Sequence, residues 1–376
     1  MWTILPRNHN PTHVLCNQRI LACADERDCS VWIVFRATKM PRIGAGENEE
    51  STVAVAYHSH RYWITMNTMN PCDDDIIIAA DGISKTIGGN EIIHHLDLSL
   101  KKGRIYALLG PNGAGKTTTT RLLTGILHPD TGTVSVFGRE LTKDNAYLFR
   151  RRMGMQVDGN SYEDMTVKDN IALWMNIYDR YDEHVLNDIL HEFGLDGRKD
   201  DTVSRLSKGN RQKILIARAL AVQPEILFLD EPTSGLDPES ADALMRLLHE
   251  SSTERGLTVF MCTHRLQGLS GIIDDVGFLE NGRLITTGSV DELIREYWKH
   301  DLYALDAHGD IAAGIDGLAD IVSGDDGHYT IMIHGSPSDT IRSLVDHGCN
   351  VNEFSRIRHD IHDLYFKVMT DTGEGE

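Results

Sequence analysis

Arg104-Ile-Tyr-Ala-Leu-Leu109-Gly110-Pro111-Asn112-Gly113-Ala114-Gly115-Lys116-Thr117-Thr118 is the stretch that decides how this 376-residue chain folds. Ile105–Leu109 is an unbroken apolar run, the pattern of a strand buried on both faces. A glycine-rich turn follows, and Thr117–Leu127 then carries Leu122, Leu123, Ile126 and Leu127 at helical spacing. Strand and helix together frame GxxxxGK[ST], the phosphate-binding loop. Its glycines let the backbone curl so that N–H groups point inward at phosphate oxygens. The helix behind it adds its positive N-terminal end. Lys116 supplies a compact charge for the β- and γ-phosphates, and the Thr117 hydroxyl a ligand for Mg2+. Gly110 through Thr118 are therefore the predicted nucleotide-binding residues.

A second element lies downstream. Ile226-Leu-Phe-Leu-Asp230-Glu231 is an apolar strand that delivers two carboxylates at its C-terminal end, where open α/β sheets bind their ligands. Asp230 is predicted to orient Mg2+ or its water. Glu231 is predicted to poise the attacking water as general base, an effect of about 10²–10⁴ in rate. Ile76–Ala80 and Glu91–Leu100 read as further strands. Strands and helices alternate to about Leu293, which predicts an α/β fold with a largely parallel sheet. Residues 147–206 are richer in helix, with apolar residues at Ile171, Leu173, Trp174, Met175 and Ile177, then at Val185, Leu186, Ile189 and Leu190.

Between the two lies Leu206-Ser207-Lys208-Gly209-Asn210-Arg211-Gln212. Taken alone, Ser207 is a helix N-cap. In series with the loop and the carboxylate strand, the segment resembles the LSGGQ signature of the ATP-binding subunits of ABC transporters, matched at Leu206, Ser207 and Gly209. The resemblance covers roughly residues 76–300. It implies a P-loop NTPase core of the ABC type, with a helical subdomain at 147–206, that hydrolyses ATP. Ser207 and Gly209 would then face the ATP held by an opposite subunit, another anion site at a helix end. Asp237, in Ser234-Gly-Leu-Asp237, would couple the two ATP sites. His264, after the apolar strand Thr258–Cys262, would be the switch histidine that touches the γ-phosphate and the water. Asn281-Gly282, inside a stretch that resembles the family's closing hairpin, is a turn signal in its own right.

The chain departs from the family pattern in three places. Lys208 and Asn210 replace signature residues. The glutamine that contacts Mg2+ and signals to the membrane partner has two candidates: Gln156 by chemistry, and Asp158 by counting from Met153-Gly154. Ile87 stands where an adenine-stacking tyrosine is usual, which removes a contact worth about 1–3 kcal/mol in other nucleotide systems.

One chain holds one phosphate loop and one signature. The resemblance thus implies a homodimer or a paired nucleotide-binding subunit, with ATP and Mg2+ as cofactors. It also implies an integral membrane permease as partner, at the cytoplasmic face of the cell membrane. Asp158, the LSKGN signature and the C-terminal segment resemble exporter subunits for drugs, antibiotics, peptides or lipid-like cargo. Two other classes are a soluble ABC-type ATPase acting on ribosomes or DNA, and a regulatory subunit with weak turnover, to which Ile87 points.

Composition narrows these classes. Net charge is −19, from 37 basic and 56 acidic residues, a poor match to a nucleic-acid backbone, and no nucleic acid is expected. The most apolar region, Ile214–Leu229, is interrupted by Arg218, Gln223, Pro224 and Glu225, so no run approaches the roughly 18 apolar residues of a membrane helix. The six cysteines form no CxxC pair and fit a reducing compartment. Residues 1–70 stand apart, with 7 basic and 6 acidic residues and three of the five tryptophans. Two strand-like runs, Ser30–Phe35 and Thr52–Tyr57, are legible there. Two readings stand for this segment: a start upstream of a working protein that begins near Met66 or Met69, or a small appended domain. The spacings of His13, Cys16, Cys23 and Cys29 match no tight zinc pattern. Residues 301–376 read as a small α+β domain with an acidic tail. Its predicted elements are strands at Asp301–Ala307, His328–His334 and Asn350–Ile357, and helices at Asp310–Ile321, Pro337–His347 and Asp360–Met369.

Overall fold

Five consecutive apolar residues leave the strand before the phosphate loop no face to give to water, and Ile105–Leu109 is buried throughout. The sheet that covers its two edges organises the molecule. The structure, a computed structural model, describes residues 22–24, 31–33, 51–57, 60–66, 75–156 and 161–373. It divides the chain into two units, Met1–Pro71 and Cys72–Glu376. In the first unit, β1 (Ala22–Ala24) pairs antiparallel with β2 (Val31–Ile33), and β3 (Ser51–Tyr57) with β4 (His60–Met66). The two predicted strand-like runs fall on β2 and β3. His13, Cys16 and Cys29 lie outside the described residues.

The second unit continues through β5 (Ile76–Ile87), β6 (Asn90–Lys101), β7 (Ile105–Leu109), α1 (Lys116–Leu123), β8 (Thr131–Val136), β9 (Arg139–Glu140), α2 (Ala146–Arg150) and β10 (Met153–Gln156). A helical layer follows, α3 (Val167–Ile177), α4 (Glu183–Glu192) and α5 (Lys208–Ala221). The chain then returns to the sheet with β11 (Ile226–Asp230), α6 (Pro238–Arg255), β12 (Thr258–Thr263), β13 (Asp275–Glu280), β14 (Arg283–Ser289) and α7 (Val290–Tyr297).

The central sheet has six strands in the order β10-β11-β12-β7-β13-β14. All pairs are parallel except the β13–β14 hairpin. Its turn, Asn281-Gly282, has positive φ at both residues (45° and 75°), the backbone a two-residue hairpin of this hand requires. β12 is buried along its whole length, as a strand covered on both faces must be. A second, antiparallel sheet in the order β6-β5-β8-β9 lies in the same unit.

Register decides the site. Asp230 pairs with Cys262, and Thr263 with Leu109. Three strands therefore end together, and Gly110, Glu231 and His264 leave the sheet along one edge.

Within the helix-rich span 147–206, Met153–Gln156 forms the edge strand of this sheet. The packed helices begin after it. Val167, Ile171 and Met175 of α3 and Leu186, Ile189 and Leu190 of α4 share a core with Ile214 and Ala217 of α5. Thr166, Asp182, Ser207 and Asp237 cap their helices by accepting backbone N–H bonds, each worth about 0.5–2 kcal/mol. Helix α1 stops at Leu123 rather than reaching Leu127, because Gly125 turns left-handed (φ 67°) and closes it.

Beyond His300, β15 (Leu302–His308), α8 (Ile311–Ile315), β16 (Ala319–Asp325), β17 (His328–Ile333), α9 (Pro337–Asp346) and β18 (Asn350–Arg356) form a βαββαβ unit with sheet order β16-β17-β15-β18. The predicted helix Asp310–Ile321 is cut short. Gly317 takes φ 69°, and Ile321 and Val322, stiff at the β-carbon, continue as strand β16. The last helix, α10 (Ile361–Gly373), leaves this unit. Its Ile361, Leu364 and Val368 join the core that holds Leu293 of α7 and Phe278 of β13. Trp298 stacks on His359 at 4.0 Å, and the Ser270 hydroxyl donates to Asp360 at 2.9 Å. The core of the small domain is thus confined to residues 303–354.

Candidate active site

The loop between β7 and α1 is shaped by two left-handed glycines, Gly113 (φ 85°) and Gly115 (φ 107°). A β-carbon at Gly113 would meet nothing within 4 Å, so this glycine answers to backbone curvature and the open side of the loop. Gly110 answers to packing, since a β-carbon there would lie 2.1 Å from the Leu279 carbonyl oxygen. The loop is buttressed from behind by the β13–β14 turn. The Gly282 N–H donates to the Ala114 carbonyl (2.9 Å), and the His94 N–H donates to the Gly282 carbonyl (2.9 Å).

Lys116 opens α1 almost fully buried, 6 % exposed. Its ammonium donates to the Gly110 and Pro111 carbonyls at 2.7 and 3.0 Å and lies 3.9 Å from Glu231 Oε1. A charge so buried needs such partners. The Thr117 hydroxyl donates to Asp230 Oδ2 at 2.6 Å. These two groups are hard oxygen ligands of the kind Mg2+ takes, one carboxylate and one hydroxyl, with the rest of its shell left to phosphates and water. Among the described residues no group of three or more His, Cys, Asp or Glu could hold a metal by itself.

Glu231 follows β11 in a left-handed conformation, φ 49°, which costs a non-glycine residue about 1–3 kcal/mol and persists only where the surroundings enforce it. They do so from three sides. The Glu231 N–H donates to the Cys262 carbonyl at 2.9 Å. The Gln212 amide donates to the Glu231 and Pro232 carbonyls at 3.2 and 3.1 Å. The carboxylate itself accepts from the His264 N–H (3.2 Å) and the Thr263 hydroxyl (3.0 Å), and its Oε1 lies 2.7 Å from His264 Nδ1. Behind this edge, burial pushes the Cys262 thiol well above its usual range, so it is an inert filler beside Thr120 (3.1 Å).

Residues 93–234 match the family model described as ABC transporter. The bacitracin transport ATP-binding protein BcrA of Bacillus licheniformis is 29 % identical over 297 residues, which is 78 % of this chain and 97 % of that protein. The methionine import ATP-binding protein MetN of Ralstonia nicotianae is 36 % identical over 239 residues, 60 % of this chain and 68 % of that protein. The chain belongs to the family of ABC transporter ATP-binding proteins. A solved ATP-binding subunit of an ABC transporter superposes with a TM-score of 0.55 at 27 % identity, covering 59 % of this chain and 93 % of that one. The protein is thus an ABC-type ATPase subunit that binds ATP and couples its hydrolysis to transport.

Within this ABC fold, the predicted residues of the loop, the carboxylate pair and His264 meet at one edge of the sheet. Ser207 and Gly209 sit at the start of α5, where Ser207 accepts the Asn210 N–H at 3.3 Å. Gly209 packs on the segment before Asp237: a β-carbon there would meet the Gly235 carbonyl oxygen at 2.9 Å. Asp237 caps α6 by accepting the Ser240 N–H at 2.9 Å, which holds its carboxyl below the usual range. Gln156 is a different case. It is 6 % exposed and accepts the Asp230 N–H at 3.0 Å. It braces the carboxylate strand from the sheet edge, with its carbonyl oxygen committed to that backbone. Asp158 lies outside the described residues. Ile87, 42 % exposed, sits beside the Gly88-Gly89 turn that joins β5 to β6.

Sequence reasoning missed Gln212 and Thr263. In the sequence Gln212 only closes the signature segment, and Thr263 only follows the apolar run Thr258–Cys262. No spacing rule foretells that an amide on α5 reaches the backbone of the carboxylate turn.

Proposed function

We propose that this chain is the ATP-hydrolysing motor of an ABC exporter, working as a pair of copies beneath a separate membrane permease at the cytoplasmic face. The observation that carries the chemistry is the Glu231 carboxylate, held by His264 and Thr263 within 3.9 Å of the Lys116 ammonium. Glu231 takes a proton from a water as that water's oxygen attacks the γ-phosphorus. The β–γ oxygen–phosphorus bond breaks, and ADP and phosphate leave. Lys116 and the loop N–H groups balance charge on the transferring oxygens. Thr117 and Asp230 would hold Mg2+, which neutralises phosphate charge when bound. Ser207 and Gly209 would meet the γ-phosphate bound to the second copy, with Asp237 between the two sites.

The export direction rests on extent of likeness. The chain spans 97 % of the bacitracin transporter's subunit, against 68 % of the methionine importer's. The cargo we assign is a drug, antibiotic, peptide or lipid-like molecule, a reading supported by likeness to the bacitracin transport protein. No helix of the described residues is long and apolar enough to cross a membrane, and this reading assigns the membrane-spanning part to a separate permease. A regulatory subunit with weak turnover is the second reading, favoured by Ile87.

Glu231→Gln tests both readings. It should bind ATP, lose turnover by about 10² or more, accumulate as closed dimers and, from detergent-solubilised membranes, bring a polytopic partner with it. Wild-type turnover in the variant would remove Glu231 as base. A wild-type chain that binds ATP without hydrolysing it would favour the regulatory reading.

A further inference from the structure

We propose that Thr263 is a positioning residue for hydrolysis, its hydroxyl fixing which oxygen of the Glu231 carboxylate is open to the attacking water. This rests on the general-base reading of Glu231 above. Thr263 ends β12 and is 2 % exposed. Its hydroxyl accepts the Arg265 N–H at 3.0 Å and lies 3.0 Å from Glu231 Oε2. A hydroxyl has one proton to give. With the Arg265 N–H supplying the accepted bond, the Thr263 proton goes to Oε2. A β-branched side chain is stiff about χ1, so that bond is set by the end of the strand and does not drift.

The other carboxylate oxygen is already engaged. Oε1 accepts the His264 N–H at 3.2 Å and lies 2.7 Å from the His264 ring nitrogen. An ionised carboxylate offers about four lone-pair sites. Two on Oε1 face His264, one on Oε2 faces Thr263, and the remaining site on Oε2 is the one a water can use. Without the Thr263 bond, the carboxylate is pinned at one oxygen only and can turn about that anchor. The partners of the Thr263 hydroxyl are the Glu231 carboxylate and the Arg265 N–H. Thr263 acts through Glu231.

The test is ATPase kinetics on the full chain carrying Thr263→Val, which keeps shape and removes the donor, and Thr263→Ser, which keeps the donor. Valine should lower kcat about tenfold or more and leave KM for ATP within about twofold, since a hydrogen bond to a charged group is lost and nucleotide contacts are not. Serine should recover most of the rate. In a Glu231→Gln background, followed by single turnover, the valine change should cost no further rate. A wild-type kcat in Thr263→Val overturns the proposal. So does a serine variant as slow as valine, or an equal loss from valine in the Glu231→Gln background. Wild-type turnover in Glu231→Gln alone would instead remove the general-base reading, and this proposal with it.

Discussion

The Thr117 hydroxyl and the Asp230 carboxylate meet at 2.6 Å although 113 residues separate them. One lies in the first turn of α1 and the other ends β11, and the parallel register brings both to the same sheet edge. If the pair holds Mg2+, Asp230→Asn removes its charged member. Half-maximal ATPase activity should then need about tenfold or more Mg2+. Titrating Mg2+ at fixed ATP checks this, and an unchanged midpoint would exclude Asp230 as a ligand.

Gln212 ties the start of α5 to the strained turn at Glu231. Gln212→Leu leaves two carbonyls without that donor and should cost about 1–3 kcal/mol in stability. It should also lower kcat more than it raises KM, because the base shifts while the phosphate loop does not. Urea unfolding and steady-state kinetics read the two effects separately. Unchanged kcat would show that the turn holds its shape without α5.

Gly110 shows no positive φ, yet it has no room for a side chain. Its β-carbon would sit 2.1 Å from a backbone oxygen of β13, which cannot swing aside. Gly110→Ala should destabilise the fold by about 1–3 kcal/mol or more through overpacking and weaken binding of a fluorescent ATP analogue. A melting temperature equal to wild type would contradict the packing argument.

The last helix belongs to the ATPase core. Leu364 is fully buried there, while Leu344 is fully buried in the small domain. Each change to alanine should cost about 2–5 kcal/mol locally. Only Leu364→Ala should lower the temperature at which ATPase activity is lost. Equal thermal inactivation of the two variants would mean that the two cores unfold as one.

Much of this was legible beforehand because it is local. The phosphate loop, the run that ends in Asp230-Glu231 and the Asn281-Gly282 turn depend on neighbouring residues and on φ angles that sequence predicts. At two helices a single glycine outweighs the periodic pattern, Gly125 at α1 and Gly317 at α8. The sequence places α10 in the small domain but the structure packs it on the ATPase core, because an amphipathic face does not name the core it will join.

By itself, the sequence determined the order of the strands and helices around the loop and the chemical types available at their ends. Only the tertiary structure decided which of those ends meet. Parallel pairing of β11, β12 and β7 aligns Asp230, Thr263 and Leu109. That alignment turns residues far apart in the chain into one carboxylate held by His264 and Thr263 beside Lys116. It also sets Gln156 behind Asp230, where its carbonyl oxygen is committed to the backbone. The reason is geometric: hydrogen-bond register between distant strands is fixed by the packing of both sheet faces at once, and no local pattern carries that information.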